Sequence, residues 1–340
     1  MRLLLHIGTE KTGTTALQQY IQENRYRILR SGIMVPDFLE GANHLELACV
    51  FMDSTKNDDF LQAANLVTPR AREDRRGALL ESLSKQVQRQ RRKVDTMLIT
   101  SEHFQSRLTS NREVGHFVDS IKEYFTEIRV ICYLRPQERM ALSFYTQKLR
   151  GGFVPPFILP ILGIRKCKPN LPDFFDFESL LDRWASAVGH SNVTPYVYER
   201  SSLVSGNVIA DFFERIGCTL PNKIEERPVN RSYDAAGQLA MLTFNRLNFE
   251  RRDEVAPTRE KLDRFLQGAE VGTPLLPPRS EAEEFNTAFI ESNRRVAQKW
   301  FGRDDLFNEP GLVYPTHGTD PPWEDATRLL AKFLSDSEAA

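Results

Sequence analysis

The chain has 340 residues, 41% of them hydrophobic and 27% charged, with a formal net charge of −1. Such a composition is ordinary for a globular protein, and the length suits one large α/β domain or two small ones. A charge this close to zero gives no global electrostatic case for nucleic acid or an anionic membrane surface as partner. Arg2 to Ile7 is a short apolar run suited to a buried strand. Gly8-Thr9-Glu10-Lys11-Thr12-Gly13-Thr14-Thr15 breaks it, and helical spacing resumes at Ala16. One arginine and about five apolar residues precede the glycines, too few for a signal-peptide core or a membrane span, so a cytoplasmic protein is expected. Cys49, Cys132, Cys167 and Cys218 have no paired spacing, which points to reduced, mostly buried thiols rather than a zinc site or a disulfide framework.

Ser31 to Pro36 closes one element and opens an extended stretch, and Gly41-Ala42-Asn43-His44 leads into a helix from near Leu45. Pro69 to Lys93 sets Leu79, Leu80, Leu83 and Val87 on one helical face, with its arginines and lysines as a solvated exterior. Thr96 to Thr100 is a second buried strand. It ends in Ser101-Glu102-His103-Phe104, polar residues at the edge where open α/β sheets bind ligands. A helix follows at about Glu113 to Phe125. Arg129 to Leu134 is the clearest strand, and it runs into Arg135-Pro136 and a helix through Ser143, Tyr145 and Lys148. Gly151 to Ile164 is apolar but broken by prolines and glycines, with the basic Arg165-Lys166-Cys167-Lys168 after it. The stretch of about 151–176 reads either as an acceptor lid or as a loop packed on the core.

Further helices are expected at Asp176 to Val188, Val208 to Ile216 and Asp234 to Phe249, and one long helix at Glu281 to Phe301. Val193 to Tyr198 is a strand ending at Glu199-Arg200, Val271 to Arg279 is a proline-rich loop, and Pro321 to Ala340 forms a last short helix with a frayed tail. Strands alternating with helices imply an α/β fold over residues 1–340 as a single domain. A central parallel sheet is flanked by helices, and the part from about residue 234 is helical.

Gly8 and Gly13 have the six-residue span of a nucleotide P-loop, whose backbone N–H groups and following helix surround a phosphate. The lysine is displaced, however. A nucleoside-triphosphate loop places Lys directly after the second Gly, followed by a Ser or Thr for magnesium, whereas here Thr14 follows Gly13 and Lys11 lies inside the loop. Such a loop holds a phosphate-like group without the usual metal arrangement. Arg135 and Ser143, eight residues apart across a strand-to-helix turn, form a second anion site, the guanidinium donating two parallel bonds. Their ordinary alternative is a surface ion pair and a solvent-facing serine.

Lys11-Thr12-Gly13-Thr14-Thr15 after a strand resembles the 5′-phosphosulfate loop of sulfotransferases of the P-loop type that use 3′-phosphoadenosine 5′-phosphosulfate (PAPS), in the form found in carbohydrate sulfotransferases of bacteria. Arg135 with Ser143 resembles their 3′-phosphate site. Tyr196-Val197-Tyr198-Glu199 resembles the strand-end segment whose tyrosine lies beside adenine, which makes Tyr198 a stacking candidate, a core tyrosine being the other reading. Arg227-Pro228-Val229-Asn230-Arg231-Ser232 resembles a short Asn-x-Ser segment of bacterial members, with no chemistry assigned beyond donor contacts.

The resemblance implies in-line transfer of a sulfuryl group to an acceptor, with a carbohydrate or glycolipid hydroxyl as the favoured class. Lys11 follows the bridging oxygen as it turns negative, Thr12, Gly13, Thr14 and Thr15 hold the phosphosulfate, and no metal is required. A hydroxyl acceptor also needs a base. Glu102 ranks first and His44 second, with His103 as a further candidate, and strand and turn geometry is expected to send Glu102 and His103 to different sides. Each has a structural alternative in helix capping or an internal ion pair. Glu10 is expected to face solvent or pair with Lys11. The Arg-Lys-Gly triplet that closes over the 3′-phosphate in cytosolic small-molecule members is absent near the carboxyl terminus, so other basic groups take its place. Two readings stay open beside this one: a magnesium-dependent phosphotransferase of the nucleotide-kinase type, and a non-catalytic nucleotide-binding protein.

Overall fold

A computed structural model of the chain describes residues 1–39, 41–160, 171–218, 233–268 and 272–338. Five segments pair in parallel: β1 (Arg2–His6), β2 (Ile33–Met34), β3 (Thr96–Thr100), β4 (Ile128–Leu134) and β5 (Val193–Val197), in the order β2-β3-β1-β4-β5. Parallel strands covered on both faces read as continuous apolar runs, which is why β1, β3 and β4 are legible in the sequence. Leu5 of β1 pairs with Ile99 of β3 on one side and Val130 of β4 on the other. The chain leaves β1 towards β2 and leaves β4 towards β5. The carboxyl ends of β1 and β4 therefore flank the point where the connections diverge, the place where open α/β sheets bind ligands.

The helices are α1 (Thr14–Glu23), α2 (Arg25–Arg30), α3 (Leu45–Cys49), α4 (Asp59–Ala63), α5 (Pro69–Gln90), α6 (His103–Arg107), α7 (Asn111–Ile121) and α8 (Gln137–Arg150). After them come α9 (Leu171–Phe175), α10 (Phe177–Val188), α11 (Val208–Arg215), α12 (Ala235–Leu247), α13 (Ala256–Gln267), α14 (Arg279–Thr287), α15 (Ile290–Val296) and α16 (Trp323–Glu338). They give the helix-flanked parallel sheet and the helical carboxyl-terminal part that the sequence implies.

The chain divides into two compact units: Met1–Arg135, Pro172–Arg227 and Glu291–Glu309 in the first, and Pro136–Leu171, Pro228–Ile290 and Pro310–Ala340 in the second. The first holds the whole sheet. On one face Leu4, Leu98, Ile131 and Tyr133 pack against Leu17 and Ile21 of α1 and Val208, Ile209, Phe212 and Phe213 of α11. Each such side chain contributes about 1.5–3 kcal/mol when fully buried. Beyond the sheet, Phe104 of α6, Phe117 of α7 and Trp184 of α10 form a ring cluster with centroids 5.0–6.2 Å apart. Local chemistry fixes the helix starts. Asn207 accepts the N–H groups of Ile209 and Ala210 at the head of α11, and Ser110 with Glu113 makes a reciprocal cap for α7. In the second unit the core gathers Leu149 of α8, Leu239 and Met241 of α12, Leu262 and Leu266 of α13, and Phe333 of α16.

Two expectations need correction. Arg72 of α5 is not part of a solvated exterior: it is 2% exposed and donates to the carbonyls of Met52, Asp53, Lys56 and Leu66, organising the chain before α5. The helix expected at 281–301 is broken into α14, α15 and a π-helical turn at Ala297–Phe301. Thr287 turns its hydroxyl back onto the Glu283 carbonyl, a bond that bends helices, and Gly302, at φ 65°, ends the last turn. Helix α13 was unmarked in the sequence because its stretch is strongly charged and few apolar residues anchor it. Cys49, Cys132 and Cys218 are free, buried thiols as expected. Residues 161–170, with Arg165 to Lys168 and Cys167, and residues 219–232, with Arg227 to Ser232, lie outside the described residues. Among the described residues no helix is long and apolar enough to cross a membrane.

Candidate functional site

The loop after β1 is an extension of the sheet that is then pinched shut. Tyr133 N–H donates to the Gly8 carbonyl at 2.6 Å, and the N–H and hydroxyl of Thr9 both donate to the Tyr133 carbonyl at 2.9 Å. The buried Thr12 hydroxyl donates back to the Thr9 carbonyl at 2.6 Å. Lys11 at φ 67° and Gly13 at φ 74° turn the chain into α1. For a lysine the left-handed region costs about 1–2 kcal/mol, so this conformation persists only because neighbours hold it. Arg135, directly after β4, donates Nη1 to the Lys11 carbonyl at 2.7 Å, and the Glu10 N–H is accepted by Gln105 Oε1 at 3.0 Å. Gly13 provides no side-chain cap for α1, so the positive end of the helix opens on the loop.

Tyr198 lies against this loop. A Cβ added at Gly13 would sit 3.2 Å from the Tyr198 hydroxyl and 2.9 Å from Cγ1 of Val208. The Arg135 guanidinium lies 5.8 Å from the Tyr198 ring centroid, within cation–π range. Burial pushes the Tyr198 phenol up, with the Arg135 charge opposing it. Gly13→Ala thus combines a left-handed backbone with a clash. It should destabilise the fold by about 1–2 kcal/mol, and a native midpoint in urea unfolding would contradict this.

Across β1, Ser101 N–H donates to the His6 carbonyl at 2.9 Å, and Glu102 already has helical φ/ψ of −65°, −13°. A Cβ at Gly8 would lie 3.0 Å from both Cα and Cβ of Glu102, so Glu102 packs directly on the loop's first glycine. Its Oε2 accepts from Gln18 Nε2 of α1 at 2.6 Å. Burial raises the Glu102 carboxyl above its ordinary value, the Gln18 bond opposes this, and the Glu10 charge adds to the rise.

His103 does not diverge from Glu102 as expected: its Nε2 lies 3.8 Å from Glu102 Oε1. The strand's alternation ends at Ser101, so neighbouring side chains on the new helical turn no longer point to opposite faces. The Arg107 guanidinium, itself bound to Asp58 Oδ2 at 2.7 Å, donates to His103 Nδ1. A guanidinium can only donate, so Nδ1 accepts there, and the Asn43 amide nitrogen lies 3.4 Å from Nε2. Burial, reinforced by the Arg107 charge, lowers His103 to about 3. The contact with Glu102 is therefore between a carboxyl group and a neutral ring, not an ion pair.

His44 is 2% exposed, and its Nδ1 accepts the Thr100 N–H at 3.2 Å, clasping the end of β3. Burial and then the Arg25 charge lower it to about 4. Glu10 carries its charge towards Glu102 and Arg107. Thr14 is buried at the start of α1 and Thr15 is exposed, while Ser143 sits on α8 in the second unit. The structure thus brings together Lys11, Thr12, Gly13, Arg135 and Tyr198 around the loop, with Glu102 and His103 on its β3 side. Motif reading missed Gln18, Gln105, Arg107 and Asp58. Only Gln18 left a signal, as a polar residue within the buried stripe of Thr14, Leu17 and Ile21 on α1. Among the described residues no group of three or more His, Cys, Asp or Glu is placed to hold a metal ion.

No protein-family model matches the chain. It is 28% identical over 218 residues to an uncharacterized protein of Archaeoglobus fulgidus, a match that takes in 62% of this chain and 55% of that one. The chain thus spans about half the length of that curated relative. In structure it is similar to a sulfotransferase from Alicyclobacillus acidocaldarius, at a TM-score of 0.39 and 14% identity, over 75% of this chain and 95% of that one. Likeness at that level leaves the chemistry to be argued from the residues.

Proposed function

We propose that the chain is a sulfotransferase that moves the sulfuryl group of PAPS to an acceptor hydroxyl, of a carbohydrate or glycolipid, with the whole chain serving as one catalytic domain. The observation that carries this reading is the anion loop at the divergence of β1 and β4, with its lysine inside the loop and Arg135 bonded to that lysine's carbonyl. Transfer breaks the bond from sulfur to the 5′-phosphate oxygen and forms one to the acceptor oxygen. The loop's N–H groups and the Thr14 and Thr15 hydroxyls hold the phosphosulfate, while Thr12 serves as a brace, its hydroxyl being spent on Thr9. Lys11 stabilises the charge that gathers on the leaving phosphate. Arg135 takes the 3′-phosphate, and Tyr198 lies beside the adenine. Lys11 and Arg135 supply the positive charge, so the reaction needs no divalent metal.

Glu102 takes the acceptor proton. Its carboxyl packs on the first glycine of the loop, and burial raises it while burial lowers the rings of His44 and His103. Calorimetric titration separates this reading from a kinase. 3′-Phosphoadenosine 5′-phosphate should bind at least about tenfold more tightly than ATP with magnesium, a difference of about 1.4 kcal/mol. The reverse order would sink the assignment.

A further inference from the structure

Lys11 is held through groups that the loop motif does not name. Gln105, 3% exposed on α6, accepts the Glu10 N–H on Oε1 at 3.0 Å and donates Nε2 to the Phe174 carbonyl at 2.8 Å. A side-chain amide has one acceptor oxygen and one donor nitrogen, so these two backbone partners permit a single orientation, oxygen towards the loop. The carbonyl of the same Thr9–Glu10 peptide accepts the Thr12 hydroxyl at 2.6 Å, so the peptide is fixed at both ends. On the far side of Lys11, Arg135 fixes the Lys11 carbonyl at 2.7 Å. The left-handed Lys11 is thus clamped from before and after, and Gln105 supplies the leading half of the clamp from an element outside the loop.

We propose that Gln105 is a positioning residue for Lys11. It holds the Thr9–Glu10 peptide in the orientation from which the chain enters the positive φ of Lys11, and the Phe174 carbonyl keeps its amide from turning over. The inference rests on the proposed function only for the identity of the nucleotide; an anion in the loop is enough for the rest.

A double-mutant cycle tests it, with inorganic pyrophosphate and 3′-phosphoadenosine 5′-phosphate titrated separately into the full chain. Gln105→Leu should weaken binding about tenfold in the native background and less than about twofold beside Lys11→Ala, because once the ammonium is gone its placement no longer matters. Equal losses in the two backgrounds would mark a merely structural role and overturn the proposal, as would no loss in the native background. If Gln105→Leu does not fold, Gln105→Asn, which shortens the reach by one methylene, goes through the same cycle, and the same non-additivity is expected with smaller losses. If the native protein binds pyrophosphate but not the nucleotide, the donor assignment falls and the pyrophosphate cycle alone decides on Gln105. Binding of neither probe would overturn both.

Discussion

Lys11→Ala should lower sulfuryl transfer by about 10²–10³ while changing the affinity for intact PAPS, whose bridging oxygen does not yet carry the charge, far less. The asymmetry follows from when the charge appears. The bridging oxygen becomes strongly negative only as the sulfur departs, so a cation placed on it stabilises the transition state more than the bound donor. The backbone N–H groups of the loop, the open end of α1 and Arg135 remain to hold the nucleotide. The effect should appear in kcat with KM almost unmoved, read as single-turnover loss of labelled sulfate from PAPS. Lys11→Arg should not restore the rate, since a planar, delocalised fork does not replace a compact ammonium. A drop below about fivefold would remove Lys11 from the chemistry.

The second large effect is expected at Glu102. Glu102→Gln keeps a partner for Gln18 but cannot accept a proton, and transfer should fall by about 10²–10⁴. The pH profile carries the sign. A base works deprotonated, so the rate should climb with pH through the Glu102 value. Burial places that value above the ordinary 4.5, and the acidic limb should lie above it. In Glu102→Gln the limb should vanish. A limb that survives in Glu102→Gln would instead point to His103 or His44, both of which burial lowers. His103→Gln should leave the limb in place, and the opposite result would reassign the base.

The parts of this molecule that were legible in the sequence are those written locally. The strands showed because parallel strands buried on both faces are continuous apolar runs, and the turn from β1 into α1 because Gly8 and Gly13 break an apolar run just before helical spacing resumes. Arg135 showed for the same reason, standing where a strand meets a proline. What lies around these residues did not show. Gln18 reaches Glu102 across 84 residues of chain, Gln105 reaches Glu10 across 95, and Arg107 finds Asp58 across 49. Contacts of that range are made by sheet order and helix packing, and a single sequence has no local mark for them. The proximity of Glu102 and His103 is hidden on a smaller scale: a divergence is expected from strand and turn geometry, but the backbone is already helical at Glu102.

Gly8 carries a consequence for how this chain could change. The volume a methyl group would occupy there is taken by Cα and Cβ of Glu102. The loop after β1 and the turn that carries Glu102 are thus one steric unit, although they follow different strands. A search for variants with new acceptors can alter the chemistry at 102 and 103 by side-chain identity alone. It cannot shift the backbone of that turn towards the cradle without collision, and any library that diversifies position 8 will mostly sample displaced carboxylates. Randomisation should therefore hold Gly8 constant and spend its diversity on the residues around it.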